Sequence, residues 1–167
     1  MADFNKVLVA NRGAVAARVL RTLNRMGVHS VAVYSDADRQ APYLEHAGET
    51  VHIGAAPARE SYLNQDRLLA AMRATHADAL HPGYGFLSEN AGFAAKVEDA
   101  GWRFIGPSPR WIEAMGHKTR ARELAARHGW PVVRGSGALS REPARVPRGY
   151  RLIDTYVNPK AFFHPSA

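Results

Sequence analysis

The 167 residues contain no cysteine, so disulfides and cysteine-ligated metals are excluded at the outset. A reducing, cytosolic setting fits that absence, and a cytoplasmic protein is expected. No stretch approaches the roughly 20 apolar residues that a membrane-spanning helix requires. The chain starts Met1-Ala2-Asp3-Phe4-Asn5-Lys6 with no basic leader before an apolar core, so no secretory signal is expected. Acidic residues are in the minority, 15 against 22 Lys and Arg, for a net charge of +7. The basic residues are spread along the chain rather than clustered, which argues for a solvated surface and against a nucleic-acid face. The eight histidines show no metal spacing: neither His46 and His52 nor His76 and His81 stand four apart. No metal site is expected, and no serine, histidine and acid set stands out as a nucleophile system. What remains is a globular composition, 46% hydrophobic and 22% charged, sufficient for one domain with a sizeable core.

The chain alternates strand and helix patterns. Lys6-Val7-Leu8-Val9-Ala10 is a short, nearly continuous apolar run, as a strand buried on both faces requires. Asn11-Arg12-Gly13 is a turn. From Ala14 to Met26, Val15, Val19, Leu20 and Leu23 recur at helical spacing, with Arg18, Arg21 and Arg25 on the remaining surface and Gly27 as terminator. Ser30 to Tyr34 reads as a second strand, completing a βαβ unit. Further strands are expected at Thr50–Ile53, Asp78–His81 and Trp102–Ile105. Helices are expected from a cap at Asn64 to Thr75, over Asn90–Ala100, Pro109–Met115 and Thr119–His128. The sum is an α/β domain, a Rossmann-like, doubly wound, mostly parallel sheet over residues 1–137. Residues 138–167, with four prolines and no sustained period, are expected to form an irregular tail.

In such a sheet, ligands bind beyond the carboxyl ends of the strands. Two loops at those ends carry suitable chemistry. Asn11-Arg12-Gly13 opens the first helix, where free N–H groups, the helix dipole and Arg12 favour an anion; the same residues also make a plain tight turn. Asp36, at the end of the second strand, stands where a dinucleotide-binding fold keeps its ribose-binding acid. The turn nevertheless lacks G-x-G-x-x-G, which weighs against nicotinamide cofactors. His81-Pro82-Gly83-Tyr84-Gly85-Phe86-Leu87-Ser88-Glu89-Asn90 is the most informative run. Two glycines around one tyrosine permit a tight fold that holds the phenol at the mouth of the sheet. Ser88 or Asn90 then caps the following helix, with Glu89 in its first turn. Lys118, at the junction before the last helix, has the reach for a nucleotide phosphate, as well as for plain solvent.

These runs, in order and spacing, resemble the biotin carboxylase family. The resemblance is carried by Val9-Ala10-Asn11-Arg12-Gly13, Val31-Ala32-Val33-Tyr34-Ser35-Asp36-Ala37-Asp38, Ser61-Tyr62-Leu63-Asn64, the His81–Asn90 run, Phe104-Ile105-Gly106-Pro107-Ser108, Met115-Gly116, Lys118 and Pro131-Val132-Val133. It spans roughly Lys6 to Gly137 and takes in the biotin carboxylase parts of acetyl-CoA, propionyl-CoA, pyruvate and urea carboxylases. It implies a Rossmann-like domain that precedes an ATP-grasp fold, in a ligase that uses Mg-ATP to activate bicarbonate and carboxylates N1 of protein-linked biotin. By the same resemblance Lys118 contacts ATP phosphates, and Tyr84 lines the biotin and bicarbonate pocket with Gly83, Gly85, Glu89 and Arg18. Arg21 and Arg25 lie towards a subunit interface. The chain departs from the pattern at Ala14, where the family usually has Glu, and at Arg25, where an acid is common. His117 stands for Asp, and Trp130 and Arg134 also differ. The glycine-rich ATP lid, a second lysine, the metal-binding Glu pair and the catalytic Arg and Glu belong to later segments of the family, and none is found after Gly137. The chain is therefore expected to be inactive alone, needing an ATP-grasp half, carboxylase subunits or a biotin carboxyl carrier protein as partners. The alternative is a non-catalytic interaction module or remnant that pairs with carboxylase subunits.

Overall fold

The computed structural model describes residues 4–116, 118–132, 150–152 and 163–165. Five strands form one parallel sheet: β1 (Lys6–Val9), β2 (His29–Tyr34), β3 (Glu49–His52), β4 (Ala79–His81) and β5 (Arg103–Phe104). Their spatial order is β3-β2-β1-β4-β5, and every neighbouring pair is parallel. The helices are α1 (Gly13–Arg25), α2 (Gln65–Thr75), α3 (Ala91–Asp99), α4 (Pro109–Gly116) and α5 (Lys118–Arg127). This is the doubly wound α/β fold that the alternation of apolar runs and helical periods predicts. The strands run successively to one side from β1 to β3, then cross to β4 on the other side of β1. The crossing makes the gap between the carboxyl ends of β1 and β4 the topological switch point.

Both faces of the sheet are covered at its centre, which is why β1 and the middle of β2 read as unbroken apolar runs, whereas β3, at one edge, alternates. Val7, Val9 and Ala32 point to one face and pack with Ala16, Leu20 and Leu23 of α1. Leu8, Val31, Val33 and Leu80 point to the other, against Leu68, Leu69 and Met72 of α2 and Phe93 and Val97 of α3. The Asn64 side chain accepts from Arg67 N and so caps α2, as its position predicts.

One expectation is corrected, and one is refined. Val15 and Val19 recur at helical spacing in α1 as expected but are only partly buried; Ala16, Leu20 and Leu23 are the buried residues of the helix, with Val19 packed beside them. Glu89 lies outside the first turn of α3. Asn90 is the cap, accepting from Phe93 N at 2.8 Å, so the helix starts at Ala91 and Glu89 precedes it, exposed.

The chain divides into two compact units, Met1–Glu113 and Ala114–Ala167. The first holds the sheet. In the second, α5 is followed by a short antiparallel pair, β6 (Tyr150–Leu152) with β7 (Phe163–Pro165), within the segment expected to be irregular. Among the described residues no helix is long and apolar enough to cross a membrane.

Candidate functional site

At the switch point the two informative loops are tied to each other. Asn11 stands two residues past the end of β1 and is 3% exposed. Its Nδ2 donates to Pro82 O at 2.8 Å and to Tyr84 O at 2.9 Å, while its Oδ1 accepts from Arg12 N at 3.0 Å. One carboxamide thus meets its hydrogen-bonding needs by clamping a loop more than 70 residues away in sequence. Gly83 is required by this clamp. Its φ is +66°, and a Cβ there would stand 2.6 Å from Asn11 Nδ2 and 2.8 Å from Val15 Cγ1. Its N–H donates to His81 Nδ1 at 2.9 Å. Burial pushes the His81 imidazole below its ordinary pKa of 6.5, its own carbonyl acting weakly in the other sense.

Past the clamp the loop is held by a ring. Phe86, in the left-handed region at φ +43°, stacks on Tyr62 with centroids 5.2 Å apart. That backbone conformation costs about 1 kcal/mol for a non-glycine residue and persists because the stacking and the buried Leu87 fix the turn. Tyr84 between these anchors is 76% exposed, its phenol presented at the rim.

A second polar cluster fixes Tyr62. Asp38 Oδ2 accepts from Tyr62 Oη at 2.6 Å, Ser35 Oγ at 3.0 Å and Arg12 Nη1 at 3.2 Å. Burial opposes ionisation of Asp38, but these donors outweigh it and hold the carboxyl below its ordinary value. Tyr43 Oη donates to Val33 O at 2.8 Å. With each phenol proton so used, the 3.3 Å Tyr43–Tyr62 contact has no hydrogen to share and is the weak link. Burial raises both phenols' pKa values, Tyr62's bond to Asp38 adding to the effect. The Arg12 guanidinium also lies 5.6 Å above the Tyr62 ring. Arg12 is therefore committed to Asp38 and Tyr62 rather than standing free for an anion at the start of α1.

Beside Tyr84 a groove of about 530 Å3 runs along α1. Gly83, Tyr84 and Arg18 line it, together with Val15, Val19 and His81. The structure so brings three of the predicted pocket residues together. Gly85 and Glu89 lie elsewhere in the same loop, outside the groove lining, and Gly85 takes φ +68° with open space around its Cα. Arg21 and Arg25 are exposed on α1. Lys118 is the first residue of α5, and its side chain lies outside the described residues. Asp36 bonds to Arg39 at 3.0 Å and His52 at 2.9 Å, which engages the one acid that a dinucleotide reading needs. Among the described residues no group of three His, Asp or Glu could hold a metal, so they do not fit a resident magnesium site.

Sequence reasoning overlooked Asn11 as a clamp, His81 as an acceptor and the Asp38–Tyr62 pair. The available signal was a polar residue at or just past the carboxyl end of an apolar strand, as His81 and Asn11 are.

The model of the biotin carboxylase N-terminal domain matches residues 3–112. The chain belongs to that family. It is 51% identical over 132 residues to the propionyl-CoA carboxylase alpha chain of Ruegeria pomeroyi, which covers 79% of this chain and 19% of the relative. It is 49% identical over 131 residues to the biotin carboxylase of Pseudomonas aeruginosa, covering 78% and 29%. Among solved structures, the biotin carboxylase of Campylobacter jejuni in a β,γ-ATP complex superposes with a TM-score of 0.80 at 44% identity, covering 83% of this chain and 31% of that one. The biotin carboxylase domain dimer of Hydrogenobacter thermophilus 2-oxoglutarate carboxylase, with MgADP and bicarbonate, gives 0.77 at 44%, covering 81% and 30%. This biotin carboxylase N-terminal domain spans less than a third of each of these relatives.

Proposed function

We propose that the chain supplies the biotin-side rim of a biotin carboxylase and is inactive until an ATP-grasp segment completes the site. The clamped loop supports this reading most directly: Tyr84 is exposed, yet its carbonyl is bound by Asn11 and its neighbour Phe86 is stacked on Tyr62. A flexible loop would lose entropy on binding; this one is ordered beforehand. In the complete enzyme Mg-ATP supplies the activation of bicarbonate. This chain's own part is to orient the biotin ring and the anion, through Tyr84, Gly83, Gly85, Glu89 and the Arg18 guanidinium. Lys118 meets the ATP phosphates, and Arg21 and Arg25 face a neighbouring subunit. The partners are the ATP-grasp half, carboxylase subunits and the biotin carboxyl carrier protein, in the cytoplasm.

The test is complementation. The purified chain is mixed with the separately expressed ATP-grasp portion of a relative, and biotin carboxylation is followed with labelled bicarbonate and ATP. Activity is expected only in the mixture, with Tyr84→Ala lowering it about tenfold or more. Carboxylation by the chain alone, or none in the mixture despite complex formation, would overturn the proposal.

A second reading is a non-catalytic module that pairs with carboxylase subunits. It is favoured by the exposed groove along α1, lined by Val15, Val19 and Met26 and flanked by Arg18. Binding to the ATP-grasp portion without any carboxylation would select it.

A further inference from the structure

Beyond the clamp itself, we infer that His81 is a positioning residue that holds the Tyr84 loop only as a neutral imidazole with its proton on Nε2. At the end of β4 the sheet ladder finishes with Ala10 N donating to His81 O at 2.9 Å. Pro82 has no N–H, so the Gly83 N–H is the first donor of the loop, and its partner is His81 Nδ1 at 2.9 Å. An imidazole nitrogen accepts only when unprotonated, which places the ring proton on Nε2. Protonation turns the contact into N–H against N–H at the same distance, and the peptide carrying Gly83 must rotate away. Asn11 holds the loop through the carbonyls of Pro82 and Tyr84, bonds that do not titrate. Beside the Phe86 stack, two side chains thus hold the loop by hydrogen bonds, Asn11 indifferent to pH and His81 sensitive to it.

The surroundings favour the neutral form. From α1, Arg18 is the charged side chain that lines the same groove, and from the loop Tyr84 is the titratable one. Val15, Val19, Phe4 and Ile105 contribute no charge, and among the described residues no carboxylate lines the groove to stabilise an imidazolium. The pose of Tyr84 is thereby set at neutral pH and loosened in mild acid. Its bearing on biotin rests on the function proposed above; the hydrogen bond itself does not.

Nuclear magnetic resonance of the 15N-labelled full chain tests this without any activity. Long-range ring correlations at about pH 8 should report the Nε2–H tautomer of His81. On acidification the Gly83 amide should titrate with the His81 ring, at one midpoint below the ordinary histidine value of 6.5. Its exchange with solvent should rise about tenfold beyond the intrinsic pH dependence, as the loss of one hydrogen bond allows. His81→Asn keeps an acceptor near the Nδ1 position and cannot gain a proton, so its Gly83 amide should stay fixed across the range. His81→Leu should hold that amide at its acid-limit shift at every pH and displace the Tyr84 ring signals. An Nδ1–H tautomer at high pH, or a Gly83 amide that ignores the His81 titration, overturns the inference. If His81→Leu does not fold, the wild-type and His81→Asn titrations decide it. Failed complementation with an intact titration would count against the carboxylase proposal alone.

Discussion

Replacing Asn11 with alanine should destabilise the first unit and release the Tyr84 loop together. The side chain donates bonds of 2.8 and 2.9 Å and accepts one of 3.0 Å, and it is 3% exposed. A buried hydrogen bond contributes about 1 kcal/mol net, and a partner left unsatisfied costs about 1–3 kcal/mol. Pro82 O sits in the buried part of this clamp and would lose its Asn11 partner, while Tyr84 O is part-buried and water can reach it. The expected loss is therefore about 2–4 kcal/mol, read by urea denaturation followed by far-UV circular dichroism. Asn11→Asp separates hydrogen bonding from packing. It retains the shape and the acceptor for Arg12 N but sets a carboxylate against two carbonyls, so it should be at least as destabilising as alanine. A loss under about 1 kcal/mol for Asn11→Ala, with the amide resonances of residues 83–86 unmoved, would refute the clamp.

Gly83→Ala should cost more than about 2 kcal/mol, because its Cβ would collide with Asn11 and Val15 in addition to the positive φ, whereas Gly85→Ala, with open space, should cost only about 1 kcal/mol of backbone strain. Thermal melts of the two variants rank them, and equal losses would contradict the geometry. Asp38→Asn should lose about 1–2 kcal/mol at neutral pH, since Tyr62 and Arg12 forfeit a charged acceptor. The Asp38 carboxyl has a folded pKa below its unfolded value of 3.8, so its stabilisation is present above that value and is lost as pH falls through the folded one; denaturation series in acid should show a shallower decline for Asp38→Asn. Tyr43 and Tyr62 have raised folded pKa values, so unfolding at alkaline pH ionises phenols that folding keeps protonated, and stability falls as pH rises through about 10. Tyr43→Phe should flatten that decline while costing about 1 kcal/mol through the lost bond to Val33 O.

Much of the fold was legible because its signals are local. The run from Lys6 to Ala10 predicts a strand, and β1 covers Lys6–Val9; the cap at Asn64 and the stop at Gly101 bound α2 and α3 within a residue or two. Glu89 was misplaced by one turn boundary because Ser88 and Asn90 are equally good caps on paper, and only the bond from Phe93 N separates them. Val15 and Val19 show the limit of periodicity, which gives the apolar stripe of a helix but not the half that meets the sheet. The candidate site was legible in its main loop, since Gly-Tyr-Gly after a strand already demands a tight turn. It was not legible in its supports.

By itself, then, the sequence determined where the five parallel strands, the main helices and the loop that carries Tyr84 fall, because each is marked by an apolar period or by turn and stop residues a few positions apart. Tertiary structure alone decided that β1 lies beside β4, which brings Asn11 within 2.8 Å of Pro82 O and sets the Tyr62 ring beneath Phe86. Those contacts join residues tens of positions apart, and a side chain's choice among distant carbonyls is fixed only when the sheet has placed them around it.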